Sequence, residues 1–429
     1  MRPMTVMPGD PETQRNGDSL GAGCSQASVL DSPDIYRRLD HEDLLGRMVK
    51  LPEQLEAAWE ATATATLPPS FARPERVVVL GTGDAGISGS LLRALAVDLG
   101  AHTPVFVVRG HMLPAVVNRR SLVLACLASG HADETISALR DVIAAGIPCG
   151  VISTGARCAQ LAREHRIPGF TCEWESDPRA ALGWSLGTLL ALCARCGVLS
   201  RTARDLPRAL DAMRIMRARI KPDVPEARNP AKQLARRLAG RLPLVVGAQA
   251  LAPVAHRWRT QISENARSWA IADELPEMNH DAHAGFKLPH HVLPLLHAVF
   301  LRHASMHERT RLRVDATVAE MRGSGVTAEV LDIPGPSVLA QQLSAVQFGD
   351  FVSYYMALLI GVPPSPVDAT ERPGILPSSF PFEEQRSFRE VLRWYGDHRV
   401  RAPAEIPPFG TYRTKGLQPC EPTSGRRCL

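Results

Sequence analysis

Val77-Val-Val-Leu80, followed at once by Gly81-Thr-Gly-Asp-Ala-Gly-Ile-Ser-Gly89, is the stretch on which the fold turns. Four consecutive apolar residues leave no polar face, which suits a strand covered on both sides. The glycines then permit a tight turn and close approach of backbone to a ligand, and a helix expected over 91–99 offers free N–H groups to an anion. The pattern repeats outward along the chain. Val105-Phe-Val-Val108 and Leu122-Val-Leu-Ala-Cys-Leu127 read as further strands, then come a helix near 133–144, a strand at 150–152, a helix over 156–165 and an apolar helix over 180–196. Strands alternating with helices predict a parallel sheet covered on both faces.

A second unit of the same kind begins near residue 201. Helices are expected to residue 239, strands at 244–246, 298–303 and 328–333, a helix over 251–267 and a long apolar helix over 339–359. Ahead of the first unit, Leu44, Leu45, Met48, Leu51, Leu55 and Trp59 recur at helical spacing, predicting one helix over 40–63. The expected divisions are a disordered extension over 1–35, a helical segment over 36–73, domains over 74–200 and 201–372, and a Pro/Arg-rich extension over 373–429, in which 382–395 has amphipathic spacing.

The 429 residues are 45% hydrophobic and 22% charged, with a net charge of +5, which suits packed cores and does not demand nucleic acid. Aromatic residues are 5% and do not interleave with a basic patch, so nucleic-acid binding is not expected. An uninterrupted apolar run of about 20 residues is missing, which argues against a membrane span. The polar start, 1–26, has no apolar signal segment, so a cytoplasmic protein is expected. Nine cysteines, several in apolar runs, read as reduced buried thiols. Cys193-Ala-Arg-Cys196 lacks the second ligand pair that a zinc site needs, and no metal is expected there.

Ligands of parallel α/β sheets bind at the carboxyl ends of the strands. Two loops stand there: Gly81 to Gly89, and Leu127-Ala-Ser-Gly-His-Ala-Asp-Glu-Thr135. Gly81, Gly83 and Gly86 also fit a dinucleotide fingerprint, but the next strand ends in Val108-Arg-Gly with no acidic residue for a ribose. A nicotinamide cofactor is therefore not expected.

These loops, with Leu51-Pro-Glu-Gln-Leu-Glu-Ala-Ala-Trp59, Pro178-Arg-Ala-Ala-Leu-Gly183, Thr260-Gln-Ile-Ser-Glu-Asn265, Leu275-Pro-Glu-Met-Asn-His280, Gly349-Asp-Phe-Val-Ser-Tyr-Tyr355 and Pro364-Ser-Pro-Val367, carry a family likeness. From about residue 39 to 372 the chain resembles the tandem sugar-isomerase-domain (SIS) enzymes of the archaeal type, the bifunctional phosphoglucose/phosphomannose isomerases. The resemblance implies an α/β fold of two tandem SIS domains, each a mainly parallel sheet flanked by helices. It implies conversion of glucose 6-phosphate or mannose 6-phosphate to fructose 6-phosphate through a cis-enediol, without cofactor or metal, in a homodimer with shared active sites. Such chemistry needs a base that reaches two adjacent carbons, a group that opens the ring and a donor for the oxyanion. The resemblance assigns these to Glu264, His280 and Arg179. On the helix over 251–267, Leu251, Ala255, Trp258 and Ile262 form the apolar stripe, leaving Arg257, Thr260, Gln261 and Glu264 for a face that can line a cleft. Each assignment has a plain alternative: a solvated Glu264, a loop His280 bonded to backbone, an exposed Arg179 at a helix start. His283, His290 and His291 follow closely, but such spacing in a loop is a weak metal signal.

The resemblance further implies substrate binding at Gly83, Asp84, Ala85, Ser129, Gly130, His131, Ser365 and Arg372. Here the chain departs from the family. A Ser-x-Ser-Gly-x-Thr pattern reads Leu127-Ala-Ser-Gly-His-Ala132, and Gly-Gly-Ser-Gly reads Gly83-Asp-Ala-Gly86. Each lost hydrogen bond to a charged group is worth about 1.5–3 kcal/mol, so weaker phosphate binding is expected. Asp84 adds repulsion unless it caps its helix, while a protonated His131 restores positive charge. The family lysine after Thr-Pro-Val is absent, and Arg372 is a different kind of donor. Three readings follow: a sugar-phosphate isomerase; an isomerase or epimerase of a non-phosphorylated or otherwise modified sugar; and a non-catalytic sugar-binding protein. Retention of both Glu264 and His280 favours an enzyme.

Overall fold

Three helices lead the chain in the computed structural model, which describes residues 28–127, 132–153, 156–171 and 178–365. They are α1 (Pro33–Leu39), α2 (Leu44–Val49) and α3 (Leu51–Thr64). The single helix expected over 40–63 is divided at Lys50. Pro52 stands in the first turn of α3, where its missing N–H costs nothing, whereas a helix running through it would clash. Val29–Asp31, assigned by composition to the disordered extension, instead form a helical turn whose Leu30 is completely buried. The buried Lys232 anchors this turn, donating to the Leu30 carbonyl at 2.8 Å and to Asp31 at 2.9 Å.

The apolar runs of the first half become parallel strands. β1 (Arg76–Leu80), α4 (Gly83–Asp98), β2 (Val105–Val108), β3 (Ser121–Leu127), α5 (Asp133–Ala144), β4 (Cys149–Ser153), α6 (Ala156–Glu164), β5 (Gly169–Thr171) and α7 (Leu182–Arg195) follow in turn. The sheet order is β2-β1-β3-β4-β5, all parallel, with Val78 of β1 between Phe106 and Val123. All seven residues of β3 are buried, as a sheet covered on both faces requires. The edge strand β5 is short and partly exposed, so it carries no apolar run to betray it in the sequence.

The second half holds α8 (Thr202–Ile220), α9 (Pro230–Leu238), β6 (Leu242–Ala248), α10 (Ala252–Asn265), β7 (Ile271–Leu275), β8 (Leu296–His303), α11 (Glu308–Gly323), β9 (Thr327–Ile333) and α12 (Val338–Ile360). Its parallel sheet is ordered β7-β6-β8-β9. β7 and α11 are absent from the sequence reading because both are largely exposed and polar. α12 is long and apolar enough to cross a membrane by length and composition, but 89% of its most apolar stretch is buried within the protein. It is the central core helix. Gly349 makes its closest contact possible: a Cβ there would lie 1.9 Å from Trp258 Nε1, which donates to the Ala345 carbonyl at 2.9 Å. The two halves are joined directly. Gln342 of α12 donates to the carbonyls of Leu91 in α4 (3.2 Å) and Ala250 (2.8 Å), and the Ala250 N–H donates to Asp98.

Candidate active site

The turn after β1 is built by its glycines. Gly83 takes a φ of +53°, and a Cβ on Gly86 would lie 2.6 Å from the Gly81 carbonyl oxygen. The helix therefore begins at Gly83, eight residues before the expected start, and the turn itself is its N-terminus. No side chain caps it. That leaves backbone N–H groups at the carboxyl end of β1, where an anion is stabilised.

Asp84 neither caps this helix nor stands as an uncompensated charge. Its carboxylate accepts from Arg257 Nη1 of α10 at 2.6 Å. The same guanidinium grips Asp350 of α12 with two bonds, Nε at 3.0 Å and Nη2 at 3.1 Å. Burial pulls the Arg257 pKa down, but the attraction of Asp350 and Asp84, with a smaller part from Glu264, more than reverses this. Asp350 is shifted up by its own burial, against the pull of Arg257.

A cavity of about 210 Å³ opens beside the turn, at the ends of β3, β4 and β5. Asp84, Ala85, Leu127, Ser153, Thr171 and Trp184 are among its lining residues. Ala85 and Leu127, two positions that lack the family hydroxyl, thus face one hollow. The indole N–H of Trp184 has no hydrogen-bond partner among the described residues, and Ser185 is bonded to Ser88 at 2.6 Å.

Glu264 sits half-buried near the end of α10. On the face of this helix expected to line a cleft, Arg257 and Gln261 are buried while Thr260 and Glu264 are half-buried; Leu251, Ala255, Trp258 and Ile262 on the apolar stripe are buried too. α10 is thus packed on two sides, with Asn265 donating to Ser353 of α12 at 2.9 Å. His280 lies beyond β7 in an exposed turn, its backbone N–H donating to the Glu277 carbonyl at 2.7 Å. Among the described residues no hydrogen bond or ion pair joins its ring to Glu264 or to the cavity. His283 pairs with Glu320, and among the described residues no group of three His, Cys, Asp or Glu side chains is placed to hold a metal. Ser365 is buried with its hydroxyl unpaired among the described residues. Ser129, Gly130, His131 and Arg372 lie outside the described residues, as does the side chain of Arg179 in the turn Pro178–Ala181. Cys193 and Cys196 are both free and buried, and burial pushes the Cys196 thiol up to about 11. The sequence reading missed the Arg257–Asp350 pair, although Arg257 was named on the polar face of its helix and Asp350 lies within the Gly349–Tyr355 motif.

The architecture defines the class. A glucose-6-phosphate isomerase like protein from Thermus thermophilus superposes with a TM-score of 0.51 at 22% identity, over 79% of this chain and 98% of that one. The fold is that of the SIS proteins. A family model, the bacterial phospho-glucose isomerase C-terminal SIS domain, matches residues 227–372. The bifunctional phosphoglucose/phosphomannose isomerase of Caldicellulosiruptor bescii is 35% identical over 320 residues, covering 74% of this chain and 94% of that protein. Its namesake from Aquifex aeolicus is 31% identical over 69% of this chain and 88% of its own length. The chain belongs to the bifunctional phosphoglucose/phosphomannose isomerase family.

Proposed function

We propose that the protein is an aldose–ketose isomerase that converts glucose 6-phosphate and mannose 6-phosphate to fructose 6-phosphate. The observation that carries this reading is Glu264: it stands in the Thr260–Asn265 motif of a helix bonded through Arg257 to the glycine turn. The phosphate would rest on the uncapped start of α4, using backbone N–H groups in place of the missing hydroxyls. His280 opens the sugar ring. Glu264 takes the proton from C2 while the carbonyl oxygen at C1 is protonated, giving the enediol. The proton then returns from Glu264 to C1 as the C2 hydroxyl loses its own, leaving the ketone. Arg179 stabilises the negative charge that develops on the C1 oxygen before it is protonated and on the C2 oxygen as its proton leaves. The exposure of His280 supports a homodimer in which each His280 serves the partner's cleft. The family's metabolic role supports a cytoplasmic location.

A second reading has its own observation: Ala85 and Leu127 leave apolar side chains at two points of a cavity otherwise lined in part by Asp84, Ser153 and Thr171, which suits a sugar without phosphate at that place. A coupled assay for fructose 6-phosphate from each aldose, with Glu264→Gln beside the wild type, separates the two. Turnover that is lost in the variant supports the isomerase. An inactive wild type that nonetheless gains thermal stability from unphosphorylated sugars supports the second reading.

A further inference from the structure

Asp84, Arg257 and Asp350 form a cluster with side-chain exposures of 10%, 2% and 6%. Its members come from three elements, the first turn of α4, the middle of α10 and the middle of α12. The Arg257–Asp350 pair alone ties α10 only to α12, within the second half. Asp84 is the member that extends the tie to the glycine turn of the first half. On α10, Arg257 and Glu264 are seven residues apart, nearly two full turns, so they share a face with an axial rise of about 10 Å. Glu264 is close enough for its charge to help hold the Arg257 proton. A buried guanidinium that loses one of two carboxylates does not stay where it was, because the remaining charge balance and hydrogen-bond geometry both change.

We infer that Asp84 is a positioning residue for the proton transfer: through Arg257 it locks the Glu264-bearing face of α10 in register with the turn that receives the substrate's phosphate. This inference rests on the reading of Glu264 as the base. It also gives the carboxylate at this glycine position a task, since Arg257 neutralises the charge that would otherwise oppose a phosphate. The distance between base and anion site is what allows one carboxylate to serve both C1 and C2, and a misplacement of about 1 Å costs on the order of 10²-fold in rate.

The test is steady-state kinetics on glucose 6-phosphate for Asp84→Asn, Asp84→Glu and Asp84→Gly, with thermal unfolding of each. Wild type and Asp84→Asn are also titrated calorimetrically with inorganic phosphate and with phosphoarabinonate, a five-carbon aldonate whose carboxylate stands in for the enediolate. In Asp84→Asn, kcat is expected to fall about 10- to 100-fold with KM nearly unchanged. Asp84→Glu recovers part of the loss. Phosphoarabinonate affinity falls by a similar factor while phosphate affinity holds. A lowered Tm with unchanged kcat overturns the inference by making Asp84 merely structural. A lower KM with intact kcat in Asp84→Gly overturns it by making Asp84 an opponent of phosphate. If the wild type turns over no sugar phosphate, yet phosphoarabinonate distinguishes it from Asp84→Asn, the isomerase reading and with it the role in proton transfer fail, and what stands is that Asp84 holds α10 in register with the glycine turn. If the analogue does not distinguish them, the positioning role fails whatever the turnover.

Discussion

Every buried Asp, Lys, Arg and His side chain among the described residues lies in the second half: Asp205, Lys232, Arg257, His297, His303 and Asp350. In the first half the buried polar side chains are Ser, Thr and Gln, such as Ser88, Thr135, Ser153 and Gln54. Two parallel sheets of one architecture therefore have different interiors. Buried charge is stabilised by pairing, and three of these residues, Arg257, Lys232 and His297, each tie separate elements. Arg257 joins α10 to α12. Lys232 joins α9 to the N-terminal turn. His297 of β8 and Arg237 of α9 both meet Glu329 of β9, at 2.7 and 2.8 Å. The second half is braced by directional bonds, the first by apolar packing and small polar side chains. The contrast matches the proposed division of labour. A base serving two carbons needs a fixed position, whereas an anion cradle of backbone N–H groups needs a helix start and glycine. Asp84 carries the bracing across to the cradle.

The comparison breaks most sharply at the base. Glu264→Gln is expected to lower kcat by about 10²–10⁴-fold in the coupled assay, the usual worth of a positioned general base; unchanged turnover would remove the second half's claim to the chemistry. Next in size is Gly349→Ala, which forces a methyl group against Trp258. Urea unfolding should show a loss of about 1–3 kcal/mol, the common cost of overpacking, and kcat should fall with it because α10 is displaced. A smaller change sharpens the first half. Ala85→Ser restores a hydroxyl to the cavity wall and should lower KM for glucose 6-phosphate by about 10-fold, as one hydrogen bond to a charged group predicts. KM that does not move would place the phosphate elsewhere.

The smallest effect tests the bracing by pH. Burial raises the Glu329 pKa, but hydrogen bonds from His297 and Arg237 outweigh it and hold the carboxyl at about 2. A carboxylate depressed from its usual 4.5 stabilises the fold above that pH, and the contribution disappears as pH falls towards 2. Glu329→Gln should flatten the acid limb of a stability–pH curve over that window, measured by urea midpoints, and leave turnover at neutral pH unchanged. An acid limb identical to that of the wild type would show that Glu329 has the same pKa folded and unfolded.

The alternation of strand and helix was legible in the chain because a run such as Leu122–Leu127 has no polar face and must be covered on both sides. The apolar character of α12 could be read the same way, but whether it is buried within the chain or between copies could not; here it is buried within the chain. Family motifs marked Glu264 and His280. Elements with little apolar content, β7 and α11, escaped because periodicity reports burial and these are mostly exposed. On the polar face of α10 the burial of Arg257 escaped for the opposite reason: a residue of a type that stays exposed is here held against α12 by its pair with Asp350. Asp84 shows where the limit lies. Alone in a glycine turn it reads as a charge opposed to an anion. Its partner is 173 residues away, beyond the reach of local spacing or propensity. Only the packing of α4 against α10 decides that the carboxylate meets a guanidinium rather than a substrate, because Coulomb energy depends on distance in space and not along the chain.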